Sequence, residues 1–243
     1  MTTTDIAVDI TDEQVAFFAT NGWLAVERIT TDEEVAWIGE IFDQLFEPDR
    51  PVHFDVMRPA GSEGPDLFPQ TLFPELHHPE LRDTTYVRNA RRIAARLLGE
   101  DEADLTNWGH MLDKPPRRGY AAPWHQDEAY WDAGQRYHAV GAWMPLDDAD
   151  LDNGCMWFLP GSHRDGLRPH RHLHGDESIH GLELVDELSE AEEQTAVAVP
   201  LQAGGASFHH PRTLHRSLPN TSDRPRRAYA NEYQTPPVRR DEA

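Results

Sequence analysis

The chain has 243 residues, and 43 Asp+Glu against 22 Lys+Arg give a formal net charge of −21. That acid excess argues against nucleic acid and anionic membrane surfaces as partners, since both attract basic proteins. A single cysteine, Cys155, excludes an internal disulfide and any multi-cysteine zinc or iron–sulfur site, and no apolar run approaches the roughly 18 residues of a membrane-spanning helix.

The predicted elements begin with helices. Thr11–Gln14 is a capping-box pattern ahead of Val15, Phe17 and Phe18, and Asn21-Gly22 stops that helix. Residues 23–29 read as a short strand. Thr31–Glu34 is a second capping box, followed at helical spacing by Val35, Ile38, Ile41, Phe42 and Leu45, with Pro48 and Pro51 closing the helix. Residues 58–80 are rich in Pro, Gly and His without a period and read as a long loop. Asp83 to Leu98 is a third helix with Gly99 just past its end.

From about residue 105 short β-branched and aromatic runs alternate with turns: 105–112, 138–146, 154–159, 195–201, 205–209 and 227–234. That is the texture of a β-sandwich or barrel. Residues 162–194 interrupt it with a charged, His-rich insert carrying one short helix at 189–195, and 236–243 read as a loose tail. No composition break marks a domain boundary, so 1–243 is read as one domain. The first nine residues offer neither a basic nor an apolar signal region, and a cytoplasmic location is the expectation.

The sharpest local signal is Trp124-His125-Gln126-Asp127. In a strand, residues i and i+2 share a face, so His125 and Asp127 would offer an imidazole nitrogen and a carboxylate oxygen to one point. Two histidines and one carboxylate on one side of an octahedral ion leave three positions open, the facial triad of non-haem Fe(II) oxygenases. A third ligand must come from a distant segment, and Phe208–Ser217 holds His209, His210 and His215. A co-substrate with a free carboxylate needs a cation, for which Arg224, Arg226 and Arg227 are available; an arginine fork suits a carboxylate.

The order His125-x-Asp127, Pro160-Gly161-Ser162-His163, then His215-x-Ser217-x-x-Asn220-x-Ser222 and Arg226 resembles the phytanoyl-CoA dioxygenase family. Gly22-Trp23 ahead of a capped helix, Lys114-Pro-Pro, and Asn153-Gly154 ahead of the Pro-Gly-Ser-His turn extend the likeness over roughly residues 10–235. The resemblance implies a mainly β protein: a double-stranded β-helix (jelly-roll) core over about 105–235 behind a helical lead-in over about 10–100. It implies an Fe(II)- and 2-oxoglutarate-dependent dioxygenase that uses O2. His125, Asp127 and His215 match the iron ligands. Arg226 matches the arginine that pairs with the distal carboxylate of 2-oxoglutarate, and Ser217 the hydroxyl that supports it. Trp143 and Gln126 match cofactor-pocket residues. Asp127 stands where halogenases of this superfamily carry a small residue, which disfavours halogenation.

The expected substrate is a small molecule, with Trp124, Tyr130, Trp131, Arg117 and His209 as candidate contacts. The His-, Trp- and Arg-rich surroundings favour a polar natural product, possibly a sugar-containing antibiotic, over a fatty acyl chain. A catabolic or osmolyte hydroxylase and a cupin-like metal-binding module are the alternatives. The triplet His170-x-His172-x-His174 reads as an exposed loop and Cys155 as a buried small hydrophobe. Residues 58–80 and 163–194 are expected to line the substrate entrance and to order on binding.

Overall fold

The computed structural model describes residues 6–47, 52–59 and 61–240. Helix α1 (Asp12–Asn21) begins on the expected capping box: Thr11 Oγ1 accepts from the Gln14 amide at 3.2 Å, and Gln14 Oε1 accepts from the Thr11 amide at 2.8 Å. It ends on Gly22, whose φ of 78° suits glycine. Strand β1 (Trp23–Val26) follows, and then α2 (Asp32–Leu45), capped by Thr31. The second capping box is only half formed. The Glu34 carboxylate turns away and accepts from the amides of Thr85 and Tyr86, at 2.7 and 2.9 Å, at the start of α3 (Thr85–Leu98). An anion is favourable there because the first amides of a helix lack partners within it. Pro48 and Pro51 lie outside the described residues; α2 ends at Leu45 with Phe46 as its cap.

Seven antiparallel strands make the larger sheet. In chain order they are β1, β2 (Phe54–Asp55), β3 (Pro69–Leu72), β4 (Thr106–Lys114), β7 (Ala139–Pro145), β12 (Ala206–His209) and β14 (Arg226–Gln234). Across the sheet the order is β1-β12-β7-β14-β4-β3-β2. The smaller sheet, ordered β11-β8-β13-β5, is built from β5 (Ala122–His125), β8 (Met156–Phe158), β11 (Val197–Val199) and β13 (His215–Ser217). This is the jelly roll that the family resemblance implies, and it agrees with the β-sandwich or barrel read from the strand texture.

Alternation along the larger sheet separates two cores. Val140, Ala142 and Met144 of β7 and Tyr229 and Tyr233 of β14 face outward and pack with Ile38, Phe42, Tyr86 and Ile93 of the helices. The buried phenols are satisfied: Tyr86 donates to the Ala142 and Tyr229 carbonyls, at 3.0 and 3.1 Å, and Tyr233 to the Val87 carbonyl at 3.0 Å. Trp143, Ala228 and Ala230 face inward towards Met156 and Phe158 of the smaller sheet. The functional site lies between the sheets.

Three segments differ from the sequence reading. Residues 58–80 are not all loop, because β3 pairs with β4 in antiparallel register. Its proline is the first residue, where no ladder hydrogen bond is lost. The insert folds as a hairpin of β9 (His170–His172) and β10 (Leu182–Leu184), followed by α4 (Glu190–Glu193) on a Ser189–Glu192 capping box. The His170 and His172 Nδ1 atoms bond their own loop's carbonyls, those of Arg168 and Ile179, at 2.7 Å each, so these two stand on a paired strand, whereas His174 sits in the exposed turn that follows. In the tail, β15 (Val238–Arg239) pairs with β6 (Gln135–Arg136), and 241–243 lie outside the described residues. Cys155 is fully buried, as expected, and burial pushes its thiol up to about 11. Among the described residues no helix is long and apolar enough to cross a membrane.

Candidate active site

His125 ends β5 and is directly paired with His215 on β13. Their rings stand 4.2 Å apart. Asp127 was expected to continue the strand, but it opens a 3-10 turn, Asp127–Tyr130. Gln126 between them is still extended, with φ −127° and ψ 130°, so the two-residue alternation holds and the carboxylate returns to the His125 side. One ligand atom from each of His125, Asp127 and His215 lies within 4.8 Å of the others, and among the described residues no other such group of three comes together. Asp127 Oδ1 is 3.5 Å from His215 Nε2 and 3.9 Å from His125 Nε2.

The second nitrogen of each ring is committed. His125 Nδ1 donates to the Pro123 carbonyl at 2.7 Å and His215 Nδ1 to the Thr213 carbonyl at 3.0 Å. These bonds fix the tautomer and leave both Nε2 lone pairs at the centre, as a metal-binding histidine requires. Burial lowers both imidazoles, His215 to about 3, which keeps them neutral and able to ligate. Asp127 Oδ2 bonds His209 Nε2 at 2.7 Å, from β12 on the opposite sheet. Burial works to raise the Asp127 carboxyl, but His215, His209 and His125 outweigh it and hold it below the usual range. The donor set and its outer hydrogen bonds thus fit Fe(II). His210, the rival third ligand, is turned away: its Nδ1 accepts from the Arg212 amide at 3.0 Å and its ring packs 5.4 Å from His163.

A cavity of about 320 Å3 opens beside the triad and reaches Arg226, the first residue of β14. Arg226 is 1% exposed, and its guanidinium sits over the rings of Trp143 and Phe68, at 5.5 and 5.6 Å. Its Nε and Nη1 have no hydrogen-bond partner. Burial lowers it to about 10, partly offset by Asp113, so the group stays charged at neutral pH. An unpaired buried cation is costly unless an anion arrives to meet it. Its rivals are occupied. Arg224 pairs with Asp150, Arg227 with Asp147 and Asp43, and Lys114 Nζ donates to the carbonyls of Tyr120, Ser217 and Leu218. Ser217, two residues past His215 and so on the same face, also lines the cavity.

The remaining candidates divide. Tyr130, Trp131, Trp143 and His209 line the cavity, although His209 is tied to Asp127. Trp124 does not, because alternation puts it on the opposite face of β5 from His125; its Nε1 donates to Glu193 at 2.7 Å and Arg216 stacks on it at 4.6 Å. Gln126 also stands behind the site, not in it. Its amide donates to the Gly166 and Arg212 carbonyls and accepts from the Arg168 amide, which clips the insert to the ligand turn. Arg117 is exposed and paired with Asp223, away from the cavity. Sequence reasoning missed Trp108, His110, His180 and Glu232 in the lining. For Trp108, His110 and Glu232 the signal existed as alternation within β4 and β14, but nothing local says which face is inner.

Residues 18–228 match the phytanoyl-CoA dioxygenase (PhyH) family. The chain is 26% identical to a phytanoyl-CoA dioxygenase of Arabidopsis thaliana, over 93% of this chain and 89% of that one. It is 32% identical to phytanoyl-CoA dioxygenase domain-containing protein 1 of Danio rerio, over 49% of this chain and 41% of that one. Among solved structures it resembles EvdO2 of Micromonospora carbonacea var. aurantiaca, crystallised with 2-oxoglutarate: 37% identity, TM-score 0.85, 97% of this chain and 95% of that chain. It also resembles SnoK, a non-haem α-ketoglutarate-dependent carbocyclase from nogalamycin biosynthesis: 26% identity, TM-score 0.73, 96% and 87%.

Proposed function

The chain belongs to the phytanoyl-CoA dioxygenase family and is a 2-oxoglutarate-dependent non-haem iron dioxygenase, and from that premise we propose that it performs a tailoring oxidation on a small, hydroxyl-bearing natural product. In this reading one domain hydroxylates or oxidatively cyclises a C–H bond of that substrate. His125, Asp127 and His215 hold the iron, Arg226 and Ser217 hold the distal carboxylate of 2-oxoglutarate, and Trp143 walls the pocket. The observation that carries it is the unpartnered, buried Arg226 in the same cavity as the triad. A protein that only stores a divalent ion has no use for an anion clamp. The likeness to SnoK supports a ring-closing or related oxidation.

With O2, bound iron and 2-oxoglutarate supply an oxidative decarboxylation to succinate and CO2 coupled to oxidation of a C–H bond; hydroxylation puts the second oxygen atom in the product, and ring closure releases it as water. The chain's own part is positional. His209 fixes one carboxylate oxygen of Asp127 and so presents the other to the metal. Phe68 and Trp143 shield the Arg226 guanidinium from water, which strengthens its pull on a carboxylate. At the mouth Pro59 bridges to Ile179, which joins the two expected lid segments, and just ahead of the first of them the Val56 carbonyl accepts from the Gly181 amide at 2.8 Å. The test is succinate formation from 2-oxoglutarate by protein loaded with Fe(II) under air. Iron binding without any succinate above the protein-free level would reduce the protein to a metal-binding module.

A further inference from the structure

Arg226, Ala228, Ala230 and Glu232 alternate along one face of β14, and all but Ala228 line the cavity. Arg226 and Glu232 stand six positions apart, about 20 Å along a strand. Glu232 stands across from Trp108 on β4 and from Gly141 on β7, and Gly141 in turn pairs with His209. The triad is tied to the larger sheet at this rung, through the bond between His209 and Asp127. With 2-oxoglutarate anchored at Arg226, as proposed above, the end of the cavity at Glu232 would be left for another molecule.

What lines the free side is polar and unsatisfied. Glu232 is 5% exposed and its Oε1 has no hydrogen-bond partner. His110, which pairs with Ala230 two residues further along β4, also lines the cavity, and its Nδ1 has no partner. The Trp108 ring lies 5.6 Å from that of His110 and offers an aromatic surface beside it. Gly141 makes the room: a Cβ there would stand 2.9 Å from His209 Cε1 and 3.1 Å from Glu232 Oε2. Burying an acid and an imidazole without partners is unfavourable, and leucine would pack this position without that cost. The pair therefore calls for a polar group from outside the chain.

We propose that Glu232 and His110, with Trp108 beside them, form a subsite for the hydroxyl groups of a hydroxylated ring in the substrate, across the triad from Arg226. This rests on the reading of the site as a dioxygenase for a hydroxyl-bearing molecule, and it assigns the recognition of those hydroxyls to particular residues. A hydroxyl both donates and accepts, and so do a carboxylic acid and a neutral imidazole. Burial favours those neutral forms: it pushes the Glu232 carboxyl well up, helped by the charge of Asp127, and brings His110 down to about 4.

The probe is methyl β-D-glucopyranoside, titrated under argon into protein loaded with Fe(II) and 2-oxoglutarate, with saturation-transfer NMR reading the Kd. Methoxycyclohexane, a similar ring without hydroxyls, is the comparison. The glucoside is expected to bind the wild type about ten-fold more tightly than methoxycyclohexane, and Glu232→Ala and His110→Phe each to weaken it by about five- to ten-fold. Glu232→Gln keeps a donor and an acceptor on a side chain of the same shape and is expected to stay within about two-fold of wild type. No glucoside binding by the wild type, equal binding of methoxycyclohexane, or unchanged affinity in Glu232→Ala or His110→Phe overturns the subsite. A loss in Glu232→Gln as large as in Glu232→Ala also overturns it, since it makes Glu232 a carboxylate that pairs with a cation. Succinate formation by the unsubstituted protein tests the dioxygenase reading separately, so failure of the one is distinguishable from failure of the other.

Discussion

His215→Ala removes one of three ligand atoms from a centre in which all lie within 4.8 Å. Turnover should be abolished and iron affinity should drop, read by iron titration and succinate formation, while His210→Ala keeps turnover because its ring serves Arg212 and His163. The reverse pattern would move the third ligand to His210. His209→Phe tests a positioning role. With Asp127 Oδ2 released the carboxylate can turn, and iron affinity should fall by about 10- to 100-fold, as for other outer-shell partners. An unchanged affinity would make that bond incidental. Arg226→Ala leaves a 2-oxoglutarate carboxylate unpaired, at a cost of about 2–5 kcal/mol in a desolvated pocket, and the KM for 2-oxoglutarate should rise by about 30-fold or more. An unaltered KM would shift the anchor elsewhere. At this scale His125 and Asp127 were legible as a pair because His-x-Asp needs only local alternation, whereas His215 stood apart from His209 and His210 by resemblance alone. Gln126 and Trp124 were not, because the residues flanking a ligand in a strand point away from it. Arg226 differed from Arg224 and Arg227 by resemblance alone until their carboxylate partners came into view.

The two segments over the mouth carry the next prediction. Gly181 closes against Val56 so tightly that a Cβ there would stand 2.9 Å from the Val56 carbonyl oxygen. His180 stacks 5.5 Å from Tyr130 and meets Phe54 edge-on at the same distance. Few backbone bonds join the segments, so they belong to the parts of a fold that open locally at low cost. Hydrogen exchange at Gly181 and Leu182 should slow when Fe(II), 2-oxoglutarate and then substrate are added. Equal, strong protection in every state would make these segments a fixed wall. The same elements show why their strands were hidden in the sequence. β3, β9, β10 and β15 span two to four residues each, too few for a period to emerge, and their partners supply the order. The helices were legible because their stop and start signals are local. Glu34 is the exception: the capping box it was expected to complete lost to helix α3, 51 residues away in sequence.

A β-sandwich or barrel was legible in the texture of short strands and turns and the jelly roll only through the family resemblance, whereas the sheet order was not legible, since β1 beside β12 or β4 beside β14 leaves no local mark. A property of the whole molecule follows from how many imidazoles that packing buries. Burial lowers His125, brings His110 down to about 4, and brings His210 and His215 each to about 3. In the unfolded chain histidine titrates near 6.5. As pH falls through about 6.5 the unfolded state therefore takes up protons that the native state refuses, and stability present above that pH is lost towards 3–4. Two effects oppose this. Burial raises Asp113 to about 6 and Glu232 well up, which favours the native state at low pH, and acidification towards the pI near 4.9 relieves the repulsion of a −21 charge. One substitution isolates the histidine contribution. His210→Asn lies outside the triad and keeps an acceptor for the Arg212 amide, but it removes one buried imidazole. In urea unfolding of the metal-free protein, the midpoint should fall less between pH 7 and pH 5 for His210→Asn than for the wild type. Parallel pH profiles would show that His210 is free to protonate in the folded state, and that its burial does not resist the charge.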